Sequence, residues 1–309
     1  MTSAAASTTS TGAPAVVAVR RSPRTIGSAY LQLTKPRIIL LLLVTTVPSM
    51  ILAAGRVPSL WLISATLIGG MLTAGGANAI NQFVDRDIDE VMSRTRGRPL
   101  PGHLLRPVSA LAFGVALGVA GFAWLLLIVN LLSAALAVGA ILFYVFVYTL
   151  WLKRWSPQNI VIGGAAGAVP VLVGWAAVTN TVAAPAWVLF AIVFTWTPPH
   201  FWALSLRYEG DYRAAGVPML PVIVGARATA RQILVYSIAL VAVSLVLWPV
   251  ANTGWIYPAA AASLGGLFVA GAARLSRRPG TPRAMRLFRY SIVYLALVFG
   301  AVAVDTLVR

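Results

Sequence analysis

The chain has 309 residues, of which 59% are hydrophobic and only 10% are charged, whereas an average soluble domain is about 25% charged. It carries 24 Lys or Arg against seven Asp or Glu, which gives a net charge of +17, and it has no cysteine. This composition excludes a single soluble globular domain, disulfides, thiolate metal sites and Fe–S clusters.

The N-terminal segment, residues 1–28, is rich in Ala, Ser and Thr and carries Arg20, Arg21 and Arg24 without an acid. We interpret it as a disordered cytosolic tail. An organelle transit peptide is the alternative, and it would place the protein in the mitochondrial inner membrane. We do not expect a secretory signal, because the segment has no apolar core followed by a cleavage site.

The rest of the chain is a series of apolar stretches, each about as long as the 20 residues that a membrane-crossing helix needs. They predict an all-α integral membrane protein with one transmembrane domain over residues 29–309 and motif loops at 81–107 and 207–230. The nine predicted spans are residues 33–54, 61–83, 108–128, 132–151, 159–178, 185–206, 231–249, 256–273 and 289–307.

The basic residues alternate from loop to loop: 22 of the 24 lie at one set of span ends, and only Arg56 and Arg309 lie at the other. The positive-inside rule therefore places the N-terminus in the cytoplasm and the C-terminus outside, in a plasma (inner) membrane. Basic loops beside apolar spans also argue against nucleic acid as a partner and favour the lipid bilayer. Close helix packing is expected at the small residues of the spans, which are Gly69, Gly70, Gly75, Gly76, Gly163, Gly164 and Gly167.

Six of the seven acids fall in two clusters, at 85–90 and 209–211, and both clusters lie on the predicted cytoplasmic side. In the first cluster, Asn81, Asp85 and Asp89 are four residues apart and share one face of a helix, in a column about 12 Å long. Oxygen ligands in such a column suit Mg²⁺, which typically bridges one or two carboxylates to substrate phosphates. The alternative is a solvated helix end whose acids pair with nearby arginines. The seventh acid, Asp305, is expected to be an interfacial surface charge without a role.

Arginines follow the column at alternate positions 94, 96 and 98. Guanidinium groups beside a metal site suit a diphosphate, and we favour Arg94 and Arg98 for this contact. The alternative is a positive-inside anchor for the helix. At the end of the fourth span, Tyr148 and Lys153 could reach the same phosphate, or could belong to an interfacial belt of aromatic and basic residues.

The second cluster follows Pro198-Pro199, a pair that should kink or break the sixth span. If the helix continues, His200, Leu204, Arg207 and Asp211 form one stripe with Glu209 opposite, although Gly210 makes that continuity doubtful. His200 would then lie about 16 Å deeper than Asp211 and would face a different part of the substrates. A satisfied buried histidine is the alternative.

Two acid clusters, a basic loop and an apolar interior together describe a site for a diphosphate attached to an apolar tail. Departure of the diphosphate would leave an allylic cation. Aromatic side chains that could stabilise this cation, or could simply pack, are Tyr144, Tyr148, Trp196, Phe201 and Trp202.

The motifs resemble those of the UbiA-type membrane prenyltransferases, and within them the branch that farnesylates haem B. The resemblance rests on the Asn81-Asp85-Asp89 column, on the acid cluster after the sixth span, on Tyr148-Thr149-x-x-Leu-Lys153-Arg154 and on the number of spans. The closer match rests on Arg94-Thr-Arg-Gly-Arg98-Pro-Leu-Pro-Gly102 and on Asn159 followed by Gly163-Gly164-Ala-Ala-Gly167-Ala-Val-Pro170. It rests also on Thr197-Pro-Pro-His200-Phe-Trp202 and Asp211-Tyr-x-x-Ala-Gly-Val-Pro-Met-Leu-Pro221.

The resemblance implies a nine-helix bundle with a central cavity open to the cytoplasm. It implies transfer of a farnesyl group from farnesyl diphosphate to a vinyl group of haem B with addition of water, giving haem O and diphosphate. It also implies Mg²⁺ as cofactor and a functional link to a haem A synthase or terminal oxidase.

The site residues that the resemblance implies fall into three groups. Metal ligands and catalytic residues are Asn81, Asp85, Asp89 and Asp211; diphosphate contacts are Arg94, Arg98, Tyr148, Lys153 and Arg154; the haem side holds His200 and Trp202. Ligation of haem by His200 is our own hypothesis. The chain departs from many relatives in the second cluster, where Ala215 stands four residues after Asp211 in place of a second acid.

Two other classes of function are alternatives to farnesylation of haem B. The nearest is a prenyltransferase of the same fold that acts on another aromatic acceptor, a quinone precursor or a chlorin. The motif Pro-Pro-His200-Phe-Trp202 argues against it. A transporter or channel would place charged groups near the membrane midplane, whereas the acids of this chain lie at one interface.

Overall fold

The computed structural model describes the backbone of residues 23–309 and their side chains, except those of residues 23, 24, 37, 38 and 40–43. Regular structure in this part of the chain is entirely helical. The helices are α1 (Pro23–Thr34), α2 (Pro36–Ala54), α3 (Leu60–Val84), α4 (Arg86–Val91), α5 (Pro107–Trp124), α6 (Leu131–Leu142), α7 (Lys153–Trp155), α8 (Asn159–Thr179), α9 (Ala184–Ser205), α10 (Glu209–Ala214), α11 (Leu220–Ala251), α12 (Ile256–Arg277) and α13 (Thr281–Val308). Of the predicted tail, residues 1–22 lie outside the described residues, and residues 23–28 begin α1.

Eight helical stretches among the described residues are long and apolar enough to cross a membrane, as expected of a multi-pass membrane protein. Two of them include π-helical segments: α5 continues to Val129, and α6 continues through Phe143–Leu152 into α7. The first predicted span corresponds to α2, which is not among the eight. The apolar stretch of α2 whose side chains are all described, Val44–Ala54, is shorter than a membrane span. The count of nine spans therefore stays a prediction. The helix predicted to begin at 231 begins at Leu220 and bends at Gly225, where φ is 75°.

The bundle is built around α8 and α9, which are the most enclosed of the long helices. Helix α8 packs against α2 and α9, while α9 also packs against α11 and α13. The other long helices therefore lie around this central pair. Glycine allows the closest approaches: a Cβ at Gly76 would lie 2.6 Å from the backbone oxygen of Gly114. A Cβ would also overlap its neighbours at Gly69 and Gly163, and it would make tight contacts of 3.3 Å at Gly75 and 3.1 Å at Gly164. The packing prediction is wrong for Gly70 and Gly167, where a Cβ would meet nothing within 4 Å.

Asp305 is not the surface charge expected from the sequence, because its residue is only 1% exposed. Its carboxylate accepts hydrogen bonds from the backbone N–H groups of Gly254 (2.6 Å) and Tyr257 (3.1 Å), at the start of α12. An ion pair of 3.6 Å joins it to Arg309. Unsatisfied N–H groups at the start of a helix favour a negative charge, so Asp305 fixes the last helix to the turn before α12.

Candidate functional site

The first acid column lies where α3 meets α4. Asp85 ends α3 with φ −85° and ψ 6°, yet its N–H still bonds Asn81 O (2.9 Å) and its carbonyl accepts from Asp89 N–H (2.8 Å). The four-residue spacing is therefore preserved through the bend, and Asn81, Asp85 and Asp89 are all buried. Asp87 points elsewhere, with 61% of its side chain exposed. The structure thus forms the column that the helical spacing predicts.

Basic side chains from two other segments neutralise the column. Lys153 Nζ donates to Asp85 Oδ2 at 2.5 Å, and Arg98 donates to Asp89 Oδ2 at 2.7 Å. Asn81 Nδ2 also donates to Asp85 Oδ2, at 2.6 Å. Two carboxylates one turn apart repel each other, and these cations offset that repulsion. The acid column and two of the predicted diphosphate ligands consequently form one connected site.

Sequence reasoning missed two members of this site. Lys35 Nζ donates to Asn81 Oδ1 (3.0 Å), and Asn81 Nδ2 bonds Thr149 Oγ1 (3.2 Å). Lys35 lies between α1 and α2 in the left-handed region, with φ 55°, which is uncommon for a residue other than glycine. In the sequence it counted only as a positive-inside charge; the one local signal was its position before Pro36, where a helix is interrupted.

Asp211 joins the second cluster to the basic loop. Ser93 Oγ donates to Asp211 Oδ2 at 2.7 Å, and the backbone N–H of Arg94 lies 3.3 Å from the same oxygen. The Arg94 guanidinium lies over the ring of Tyr208, 5.5 Å from its centroid. Glu209 takes no part, since it pairs with Arg213 at 2.6 Å on the exposed side of α10.

Arg154 contacts Asp87 and not the column, and its predicted role as a diphosphate ligand stays a prediction. Its guanidinium makes two hydrogen bonds of 2.8 Å to the Asp87 carboxylate and a third of 3.1 Å to Val84 O. The reason is geometric: Asp87 lies off the column, and Arg154 follows Lys153 on the outer side of the same short helix. The Arg154 hydrogen bond lowers the pKa of Asp87 to about 2.

The predicted stripe beyond the proline pair does not form. Helix α9 continues through Pro198 and Pro199 without a break and ends at Ser205, and Asp211 lies on the separate helix α10. Helix α9 stays continuous because it is buried between neighbouring helices. In a membrane bundle, such neighbours supply hydrogen-bond partners for the backbone groups that a proline frees. The estimate of 16 Å between His200 and Asp211 assumed one straight helix and therefore does not apply.

His200 and Trp202 point to different neighbours, so the predicted haem side is not one surface. The His200 ring stacks between Trp196 (centroids 4.2 Å apart) and Phe288 (4.6 Å). Trp202 is 1% exposed and packs edge-on against Tyr236 of α11. Residues two apart on a helix lie on nearly opposite faces, which explains the separation. Trp202 belongs to the packing between α9 and α11.

Tyr148 stacks on Tyr144, with ring centroids 5.3 Å apart, and lies against Gly163 of α8. A Cβ at Gly163 would overlap the Tyr148 ring. Thr149, the next residue, is the hydrogen-bond partner of Asn81. The end of the fourth span thus packs its aromatic residues beside the acid column.

The oxygens of the column fit a divalent cation. Asp85 Oδ1 is fully buried and has no hydrogen-bond partner among the described residues, while Oδ2 is saturated. A buried carboxylate oxygen without a partner is costly unless a ligand satisfies it. The described residues contain no group of three His, Cys, Asp or Glu side chains that could hold a metal by themselves. Mg²⁺ does not require one, because it keeps waters and takes substrate phosphates as ligands.

Comparison with known proteins gives consistent results. Residues 42–299 match the UbiA prenyltransferase family. A protein of Frankia alni named protoheme IX farnesyltransferase is 55% identical over 283 residues, which cover 91% of this chain and 98% of that protein. Protoheme IX farnesyltransferase 1 of Saccharopolyspora erythraea is 53% identical over 308 residues, covering 99% of this chain and 97% of that protein.

Solved structures share the fold at low identity. A digeranylgeranylglyceryl phosphate synthase superposes with a TM-score of 0.75 and 19% identity, covering 92% of this chain and 99% of that chain. A UbiA homologue from Archaeoglobus fulgidus bound to GPP and Mg²⁺ gives a TM-score of 0.66 and 17% identity, with 89% and 99% coverage. At this level of sequence identity, the two superpositions show a shared fold.

Proposed function

The chain belongs to the UbiA prenyltransferase family, and we propose that it transfers a farnesyl group from farnesyl diphosphate to a vinyl group of haem B. The relatives named protoheme IX farnesyltransferase support this proposal, because they match over nine-tenths of the chain or more at 53–55% identity. The observation that carries it is the buried Asn81-Asp85-Asp89 column, whose two carboxylates pair with Lys153 and Arg98. A site of this kind is suited to bind both a metal and a polyanion.

We propose that Asn81, Asp85 and Asp89 hold Mg²⁺, with Asp211 contributing from the second cluster. The unsatisfied Asp85 Oδ1 is the oxygen that a cation would occupy first. When bound, Mg²⁺ would neutralise charge that develops on the departing diphosphate. Arg98, Lys153 and Lys35 each donate to a different residue of the column and would bind the diphosphate directly, and Arg94 would close over it from the loop.

The reaction begins when the bond between farnesyl C1 and the diphosphate oxygen breaks, and the electron pair leaves with the diphosphate. The vinyl π electrons of haem B then form the new carbon–carbon bond to C1, which leaves the other vinyl carbon as a cation. Water adds to that carbon and loses a proton, giving the hydroxyethylfarnesyl group of haem O. The role of Tyr144 and Tyr148 is to face the allylic cation with stacked aromatic rings beside the column.

The charge pattern supports an orientation. We propose that the end of the bundle that carries the column faces the cytoplasm, since 22 of the 24 basic residues lie at that set of span ends. The transmembrane domain over 29–309 would then receive both substrates from the membrane and release diphosphate to the cytoplasm.

The test is product analysis with the full chain in lipid nanodiscs. Haem B, farnesyl diphosphate and Mg²⁺ should yield a heavier and more apolar haem with the mass of haem O, and equimolar diphosphate. Omission of Mg²⁺ with added chelator should abolish the product. Parallel reactions with a quinone precursor and a chlorin address the alternative acceptor. Product from one of these but not from haem B would refute the haem assignment and leave the prenyl transfer intact.

A further inference from the structure

A second polar centre lies between α9 and α13, away from the acid column, and it involves His200. His200 Nδ1 lies 2.6 Å from Ser291 Oγ, and Trp196 Nε1, one turn earlier on α9, donates to Ser291 O at 2.8 Å. The imidazole ring is sandwiched between Trp196 and Phe288. Ser291 therefore contacts both members of the Trp196/His200 pair, which share one face of α9.

Ser291 Oγ lies 2.6 Å from Phe288 O, which can only accept, and 2.6 Å from His200 Nδ1. A hydroxyl has one donor and two acceptor positions. When its proton goes to Phe288 O, the oxygen accepts from His200, so Nδ1 carries the hydrogen of the uncharged ring and Nε2 keeps its lone pair. This is the arrangement on which the proposal below rests. Burial of the ring disfavours its charged form.

Nε2 is left without a hydrogen-bond partner among the described residues, although His200 is only 8% exposed. Among the described residues, five side-chain nitrogen or oxygen atoms have no hydrogen-bond partner and are also fully enclosed, and Trp202 Nε1 is one of them. His200 Nε2 has no partner either, but it is not among these enclosed atoms. It consequently borders accessible space. A ring that served only to join two helices would not need a second nitrogen that is accessible and has no partner.

We propose that Ser291 is a positioning residue that fixes His200 in the Nδ1–H tautomer and so presents Nε2 as a ligand to the iron of the porphyrin acceptor. A metal-binding histidine usually donates its other N–H to an oxygen, which sets the tautomer and raises the basicity of the ligand. The chain Nε2–imidazole–Nδ1–H to Ser291 Oγ to Phe288 O provides this arrangement. The proposal rests on haem B as the acceptor.

Binding of ferric and ferrous haem B to the full chain in nanodiscs tests it, by absorption and resonance Raman spectroscopy. The wild-type complex should show an imidazole-ligated iron, and His200→Ala should lose it. Ser291→Ala should weaken haem binding by about 10–100-fold and lower the iron–histidine stretching frequency, because Nδ1–H loses its acceptor. Ser291→Thr, which keeps the hydroxyl, should restore both.

Ser237→Ala is the matched control, because Ser237 is buried on α11 and its hydroxyl bonds Ile233 O in its own helix. It should bind haem like the wild type. Binding of farnesyl diphosphate with Mg²⁺ checks that each variant is folded. If Ser291→Ala is not folded, His200→Gly with added free imidazole replaces it, and recovery of the ligated spectrum is expected.

An unchanged affinity and stretching frequency in Ser291→Ala would overturn the positioning role. An imidazole-ligated spectrum in His200→Ala, or no recovery with free imidazole in a folded His200→Gly protein, would overturn the ligand. These results leave farnesylation of haem B by the wild type untouched. A wild-type protein that prenylates another acceptor but does not bind haem B refutes the proposed function, and the present proposal with it.

Discussion

Replacement of Asp85 by Asn, compared with the same change at Asp87, tests the column most directly. The two carboxylates lie on one short segment and both pair with a cation, Lys153 in one case and Arg154 in the other. They differ in burial: Asp85 is fully buried and has an oxygen without a partner, whereas 61% of the Asp87 side chain is exposed. The pair therefore separates loss of the column from loss of one acid near it.

The expected magnitudes follow from this difference. Removing one preorganised group that stabilises transition-state charge typically costs about 10²–10³-fold in kcat, and Asp85→Asn should fall in that range. An exposed ion pair contributes about 0.2–1 kcal/mol, so Asp87→Asn should change turnover by less than about fivefold. The assay is haem product formed per minute in nanodiscs, with thermal unfolding followed by tryptophan fluorescence as a check on folding. A folded Asp85→Asn protein with more than a tenth of wild-type turnover, or equal losses in the two variants, would refute the reasoning.

Three further results are expected. Asp305→Ala should lower the free energy of unfolding by about 2–4 kcal/mol, because two backbone N–H groups lose a charged acceptor; an unchanged thermal midpoint would contradict the capping role. Gly163→Ala should cost about 1–3 kcal/mol by displacing Tyr148, whereas Gly167→Ala, with open space at its Cβ, should cost nothing; equal thermal shifts would argue against the packing. Because the Arg154 hydrogen bond lowers the pKa of Asp87 from 3.8 to about 2, their bridge stabilises the fold above pH 4, and at most about 1 kcal/mol is lost as the pH falls toward 2. Subtracting the acid unfolding curve of Asp87→Asn from that of the wild type measures this loss, and parallel curves would exclude it.

The sequence predicted the part of the site that depends on local spacing. Asn81, Asp85 and Asp89 share a face because residues four apart do so in any helix, and the bend at Asp85 preserves that relation. The helical class and most span positions follow from the length of the apolar stretches alone. The separation of α10 from α9 was left open by the sequence: the predicted span ends at 206, but Gly210 was the only signal against a helix that continues to Asp211, and the break falls earlier, at 206–208.

Contacts between distant segments could not be predicted in the same way. Ser291 lies 91 residues from His200, and Asp305 lies 51 residues from Gly254, so no spacing rule connects them. Arg154 illustrates a related limit: it is adjacent to Lys153 in the sequence, but adjacent residues on a helix diverge by about 100° and contact different carboxylates. Position in a motif therefore identified the segment, but not the carboxylate that each of its basic side chains contacts.

The charge balance of the column explains how one site can be stable without substrate and still bind a polyanion. Asp85 and Asp89 carry two negative charges, which Lys153 and Arg98 balance, and Lys35 adds a further nitrogen donor to the same site. Breaking a buried ion pair by removing one partner is costly, so a site that had to release its cations before accepting a metal would be slow to load. The two oxygens of Asp85 avoid this conflict: Oδ2 keeps Lys153 and Asn81, while Oδ1 is free for a cation. The basic side chains would then meet the diphosphate, and the metal and the substrate would bind without competing for the same oxygen.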